Sequence, residues 1–206
     1  VKATSVLLLV ATIQVGVPVA EEPRHKVVFT NRYVRVIDAL LPVGDTTLFH
    51  THDLDNVPVV ITGGTIRTQV VAGSTSETTL EIGRAWFARG GYTHQIANIG
   101  DTPLRFIDAE ILSRWNEPSP DSSPGVPQET TVVENENVRV ARLRLDASEA
   151  LAPHSHSRPM LLVEVSGSGG TASRPPGSFS WIDPGRRHET AETGGRLYDA
   201  VVIEWK

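Results

Sequence analysis

The chain contains no cysteine among its 206 residues. That absence excludes disulfide staples, thiolate metal sites and a cysteine nucleophile together. No basic run stands out, and the net charge is -5. Phosphate binding needs clustered Lys and Arg, so nucleic acid is not an expected partner. No apolar run is long enough to span a bilayer. The apolar stretch Val6 to Ile13 lies within VKATSVLLLVATIQVGVPVA (1–20), behind Lys2 and ahead of Ala20 as a cleavage point. That order resembles a secretory signal peptide and would make the protein periplasmic or secreted. The other reading of the stretch is a buried first strand of a cytoplasmic protein. Sustained helical periods with caps are also missing. Moderate hydrophobic content and balanced charge suit a globular core, and the length suits one or two domains.

What is present is histidine in pairs. Seven histidines occur, and four of them form FHTH (49–52) and PHSH (153–156). NRYVRVIDALLPVGDTTLFHTH (31–52) lies over NENVRVARLRLDASEALAPHSH (135–156) without a gap. Val34-Arg35-Val36 meets Val138-Arg139-Val140, and His50 and His52 meet His154 and His156. The same offset carries Gly63 onto Gly167. A shorter offset then carries Gly83 onto Gly177, Gly91 onto Gly185 and His94 onto His188. Six of the seven histidines fall on matched positions, and only His25 is left over. The chain therefore reads as two copies of one domain. WNEPSPDSSPGVPQ (115–128), rich in Pro and Ser, reads as the joint. The divisions are a signal at 1–20, a first domain at 21–114, a linker at 115–129 and a shortened second domain at 130–206. Each copy is expected to close as a separate small barrel.

VVITG (59–63), TIRTQVV (65–71) and LRFIDAEIL (104–112) are strand-like, as are LLVEVSG (161–167) and LYDAVVIEW (197–205). Many short strands predict an all-β fold. Side chains alternate faces along a strand, so His-x-His sends both imidazoles to one side. The third histidine of each copy comes from another strand. Three ring nitrogens converging from separate rigid elements is what a metal needs.

At these residues the chain resembles the cupin superfamily, and its two copies resemble a bicupin. The first cupin motif matches Gly44, DTTLF, His50-Thr51-His52, DLD, Asn56, VPVVIT, Gly63, with Asn56 in place of the family Glu. The second matches Gly83, RAWFA, Arg89-Gly90-Gly91, YT, His94, QIA, Asn98, with Arg89 in place of Pro. Copy two reads Ser148, EALAP, His154-Ser155-His156, SRP, Met160, LLVEVS, Gly167, then Gly177, SFSWI, Asp183-Pro184-Gly185, RR, His188, ETA, Glu192. Ser148, Met160, Asp183 and Glu192 fall at positions where it departs or adapts. The resemblance covers 26–112 and 130–206 and implies two tandem jelly-roll (double-stranded β-helix) barrels.

The resemblance also implies ligand sets. Site one would be His50, His52 and His94, with Asn56 as a neutral oxygen ligand. Site two would be His154, His156 and His188, with Met160 as a pocket wall. The cofactor would be a divalent transition metal, Fe foremost, with Mn, Ni, Cu or Zn also served by imidazole. Without the Glu, a three-His site resembles the three-His dioxygenases among cupins, acting on a small organic substrate. An isomerase or lyase, or a non-catalytic metal-binding module, are the competing readings. Glu164 lies four residues after Met160, and so on the same strand face. It is a candidate base or distant ligand, against a carboxylate turned to solvent at a strand end. Trp86 and Trp181 read as core, and Arg89, Arg186 and Arg187 as rim. Copy one has the fuller motifs and is expected to be the reactive site. The shortened copy two is expected to be more open or to form a homodimer surface.

Overall fold

The first copy is built of β1 (Val17–Pro18), β2 (His25–Thr30), β3 (Val34–Leu41), β4 (His50–His52), β5 (Asn56–Thr62), β6 (Gly64–Val70), β7 (Thr75–Leu80), β8 (Tyr92–Asn98) and β9 (Leu104–Ile111). The second is built of β10 (Glu129–Glu134), β11 (Val138–Leu145), β12 (Leu151–His154), β13 (Met160–Glu164), β14 (Phe179–Ile182), β15 (His188–Thr190) and β16 (Tyr198–Trp205). A single 3-10 turn, Val19–Glu21, is the only helical element among the described residues. This computed structural model describes residues 16–117, 126–147, 149–166, 174–190 and 197–206. Ser148, Gly167 and Glu192, most of the signal-like stretch and part of the joint lie outside them. No helix among the described residues is long and apolar enough to cross a membrane.

The sheets of copy one have the orders β1-β4-β8-β6-β7 and β2-β3-β9-β5. Those of copy two are β10-β11-β16-β13-β14 and β12-β15. Every ladder among the described residues stays within one copy. The repeat in sequence is a repeat in register. His25 pairs with Ala39 as Glu129 pairs with Leu143, and each ladder shifts at the matched place, Val27/Phe29 and Thr131/Val133. His50 faces His94 across β4–β8, as His154 faces His188 across β12–β15. The all-β, two-barrel expectation therefore holds.

The barrels are nevertheless not separate bodies. β5, β9 and β16 are buried along nearly their whole length, so both faces are covered. The alternation sorts each strand. In β9, Leu104 and Phe106 belong to the apolar interior of barrel one, with Leu41, Val60, Ile66 and Leu80. Ile107, Ala109 and Ile111 turn the other way. They pack with Val57, Val59 and Ile61 against Val138, Val140, Leu161, Val163, Val201, Ile203 and Trp205 of copy two. Barrel two keeps its own interior around Leu143, Leu145, Met160 and Tyr198. The molecule thus has three apolar clusters, and the middle one joins the copies. The physical reason is that each copy's sheet carries apolar residues on both faces, and its outer face must be covered. Polar contacts lock the same seam. Arg105 donates to Pro176 O at 2.9 Å, Asn137 Nδ2 to Asp55 Oδ2 at 3.0 Å, and Arg142 to Gly83 O.

Both ends of the joint are anchored. Trp115 N donates to Lys206 O at 3.1 Å, and its ring lies 5.4 Å from Tyr33. Val126 packs on the interior of barrel two. At the N-terminal side, Val17 pairs in parallel with His50, and Val19 is buried. A chain cut after Ala20 would lose this edge strand beside His50.

Candidate metal centre

β4 is His50-Thr51-His52, and the strand period sends both imidazoles into the barrel while Thr51 turns aside to Thr93. β8 runs antiparallel to β4 and places His94 opposite His50. A turn sets the second pairing residue. Gly91 has φ +88, a left-handed conformation that costs L side chains and suits glycine, and its N–H donates to His52 O at 2.7 Å. Gly185 repeats this with φ +72 and a 2.8 Å bond to His156 O. The second-motif glycine thus ties the third histidine's turn to the strand carrying the first two.

The ligand atoms of His50, His52 and His94 lie within 4.8 Å of one another. His50 Nδ1 meets Leu48 O at 3.0 Å, which makes Nδ1 the protonated nitrogen and leaves a lone pair on Nε2. That Nε2 stands 2.9 Å from His94 Nε2. Two nitrogens each about 2.05 Å from one ion and at right angles around it are about 2.9 Å apart. The donor set is three neutral nitrogens, and burial keeps it so. It pushes His50 down to about 4 and His94 to about 3. His52 is lowered as well, by burial and then by the neighbouring histidines. These residues fit a divalent transition metal.

The surroundings of His52 redefine Asn56. Its amide nitrogen lies 3.2 Å from His52 Nδ1 and 3.3 Å from both Leu54 O and Tyr92 OH. Asp108 Oδ2 also approaches Nδ1, at 3.7 Å. Both polar groups therefore stand behind the ring and leave Nε2 to the cluster. Asn56 orients a ligand in this geometry and does not sit among the ligands. Its Oδ1 has no partner among the described residues. Tyr92 stacks on His52 at 4.8 Å and 13°.

Four polar residues around site one escape the motifs: His25, Glu22, Tyr92 and Asp108. Asp108 lies on β9 among apolar residues and is buried, and burial, then the charge of Glu110, pushes it up to about 8. Its inward parity with Leu104 and Phe106 in LRFIDAEIL was the available signal. His25 had no such signal beyond being the histidine left over by the repeat. It lies 4.6 Å from the His50 ring, and its Nδ1 is 2.6 Å from Glu22 Oε2. A cavity of about 270 Å³ opens on the triad, lined by His25, Asp108, Tyr92 and an apolar wall that includes Ile66, Trp86 and Phe106.

Site two reproduces the triad itself. Its ring centroids are 4.4, 5.0 and 5.1 Å apart, against 4.5, 5.2 and 5.2 Å at site one. His154 Nδ1 meets Ala152 O at 2.9 Å, as His50 meets Leu48. Burial lowers His156 to about 4 and lowers His188. The polar neighbours are not reproduced. Asn56, Asp108, Tyr92 and His25 become Met160, Val202, Arg186 and Glu129 at the matched positions. Met160 is buried in the apolar interior.

Glu164 does face inward and is buried. It is not brought to the histidines. It stands two inward positions beyond Met160, about 13 Å of strand, and its neighbours are Tyr198 and Arg174. Trp86 lines the cavity of barrel one, whereas Trp181 lies at the seam, stacked 5.9 Å from Tyr33.

No protein-family profile and no curated protein matches the sequence. Solved structures do match the fold. Salicylate 1,2-dioxygenase from Pseudaminobacter salicylatoxidans is 13% identical with a TM-score of 0.61, covering 91% of this chain and 78% of that one. A cupin 2 conserved barrel domain protein from Leptotrichia buccalis is 12% identical with a TM-score of 0.57, covering 94% and 100%. AerE from Microcystis aeruginosa is 11% identical with a TM-score of 0.61, covering 90% and 98%. Identities this low speak for architecture alone. The fold is that of a two-barrel cupin, and each barrel carries a histidine triad that fits a metal.

Proposed function

We propose that barrel one is the reactive centre of a metal-dependent dioxygenase acting on a small organic molecule that binds through two oxygens. The observation that supports this most is the His50–His94 nitrogen pair at 2.9 Å, completed by His52 and opening on a largely apolar cavity. Iron is the metal the reading favours. When bound, it would supply Lewis acidity and a common template for substrate and dioxygen. His50, His52 and His94 would hold it without a carboxylate. A neutral donor set leaves the ion its full charge and about three of six positions.

The rest of the site shapes access. Leu48 O fixes the tautomer of His50, and Asn56, Asp108 and Tyr92 fix the ring of His52. Such outer contacts orient ligands and tune their basicity. Ile66, Leu80, Trp86, Ile96 and Phe106 exclude water, which strengthens every polar contact inside. The cavity volume lies just below the ~300 Å³ at which pockets for drug-sized ligands begin, so the substrate is small.

Barrel two is assigned the weaker metal site. Its triad has lost the polar residues that steady His52. Glu164 has no part in this reading. The carboxyl group of Asp108 in the cavity favours a second reading, a non-redox isomerase or lyase. We include export in the proposal.

The test is metal content of the full chain purified without chelator, with oxygen uptake on a panel of β-diketones and catechols. Oxygen consumed in proportion to substrate supports the dioxygenase. Turnover without oxygen uptake supports the second reading. Bound metal with no turnover of any panel member goes against both.

A further inference from the structure

Residues 83–88 form one wall of the barrel-one cavity, to which they contribute Trp86 and Ala88. One edge of this wall is pinned to β5. Gly83 N donates to Val60 O at 2.7 Å, Val60 N to Arg84 O at 2.9 Å, and Asn56 and Ala88 exchange two bonds at 2.9 Å. The carbonyls at its start are taken by the other barrel. Arg142 on β11 donates to Gly83 O and, at 3.4 Å, to Ile82 O, while Asp199 on β16 holds its guanidinium by two bonds. Barrel two is held in return. Gly177 N donates to Glu164 O at 2.8 Å, and Arg105 on β9 donates to Pro176 O at 2.9 Å with Asp38 on β3 behind it at 2.8 and 2.9 Å. A Cβ on Gly83 or Gly177 would run into the arginine that reaches it, so glycine at each turn admits the clamp.

The two clamps are one pair with its charges exchanged. The repeat carries Asp38 onto Arg142, Arg105 onto Asp199 and Ile82 onto Pro176. The arginine stands on the last strand of copy one and on the second strand of copy two, yet both reach the same turn of the opposite copy. A guanidinium can do this because its fork grips a carboxylate and still has a donor for a carbonyl. The clamps differ in what they support. The Gly83 turn leads to Trp86 in the cavity. The Gly177 turn leads to Trp181, which lies at the seam against Tyr33.

We infer that Arg142 of barrel two is a positioning residue for the ligand cavity of barrel one. Through the Gly83 turn it holds Trp86 against the bound molecule, and so favours chelators that carry a flat apolar group. Barrel two thereby buttresses barrel one independently of its own triad.

The test has two arms, and only the ligand arm rests on the metal reading of barrel one. The zinc-loaded full chain carrying His156→Ala is titrated calorimetrically with acetohydroxamate and benzohydroxamate. Both chelate through two oxygens, and only the second brings a ring to the wall. The parent should prefer benzohydroxamate on the order of 3- to 10-fold, from apolar surface buried on the wall. Arg142→Met should abolish the preference with acetohydroxamate affinity kept within about 2-fold, because zinc and its histidines are untouched. Arg144 stays 3.4 Å from Asp199 in that variant, so the carboxylate keeps a cation. Arg105→Met loosens the same seam but should keep the preference. The exchange Arg142→Asp with Asp199→Arg copies the polarity of copy one, places the new guanidinium toward Ile82 O, and should restore the preference. In the second arm, the chain is labelled with 5-fluorotryptophan and the Trp86 resonance is assigned with Trp86→Phe. Arg142→Met should move that resonance and Arg105→Met should not. A parent without the preference, a preference kept in Arg142→Met, its equal loss in Arg105→Met, or no restoration by the exchange overturns the inference. If the parent binds no zinc, the metal reading falls, and the fluorine arm decides: a Trp86 resonance unmoved in Arg142→Met overturns the role of Arg142.

Discussion

His50 and His94 stand opposite each other across the β4–β8 ladder with their Nε2 atoms 2.9 Å apart. The same ladder position in barrel two holds His154 and His188. The triads are near copies, so the difference between the sites lies in what surrounds them. His52→Ala should abolish turnover, whereas His156→Ala should leave most of it. Oxygen consumption by the two variants, with metal content measured in parallel, checks this. Loss of activity in His156→Ala alone would reverse the assignment.

Asn56 contacts the far nitrogen of His52 and the hydroxyl of Tyr92. Asn56→Ala should keep the fold and weaken metal binding by roughly 10- to 100-fold, the usual cost of losing an outer contact to a ligand. Competition with a chromophoric chelator measures it. An affinity equal to the parent's would show that Asn56 does not steady the ring.

Glu164 carries a stability prediction. Burial raises its carboxyl above the ordinary 4.5, and the hydrogen bond with Tyr198 and the charge of Arg174 offset this only in part. A raised group contributes stability fully below its unfolded value, and that contribution is lost as pH rises through its folded value. Glu164→Gln does not titrate. It should therefore melt higher than the parent at pH 7.5, with the advantage shrinking toward pH 4. Because Glu164 stands away from both triads, turnover should be unchanged. Reduced turnover with normal metal content would restore it as a catalytic candidate.

The repeat, the motif glycines and both triads were legible because each depends on short-range spacing along one or two strands. Two of the less legible features depend on depth. Period two placed Glu164 on the inward face correctly, but parity does not say how far along the barrel a residue stands. Asn56 shared the inward face too, and only the packing of β5 against β8 and β9 showed it meeting Nδ1. His25 reaches the site through long-range pairing of β2 with β3, which no local pattern encodes, whereas Asp108 had only its inward parity on β9. The shared middle cluster had a fainter trace. NVPVVIT is apolar at most of its positions instead of alternating, as a strand covered on both faces should be.

Through that middle cluster the two copies should unfold as one body. Ile203 is fully buried in it, among residues of both copies. Ile203→Ala should cost about 2–5 kcal/mol, the range for truncating a buried aliphatic side chain. The parent should unfold in a single transition, with hydrogen exchange in β5 and β9 accelerated by the substitution in β16. Two resolved transitions, only one of them shifted, would show that the barrels are energetically separate.

The central claim is that His50, His52 and His94 hold a divalent transition metal. The most direct measurement is metal per chain by mass spectrometry, after purification without chelator and after loading with iron or zinc. It compares the parent with His50→Ala and His154→Ala. The account predicts at least one ion per parent chain, with a larger loss of tightly bound metal in His50→Ala than in His154→Ala. A folded parent chain that carries no ion and takes up none would contradict it.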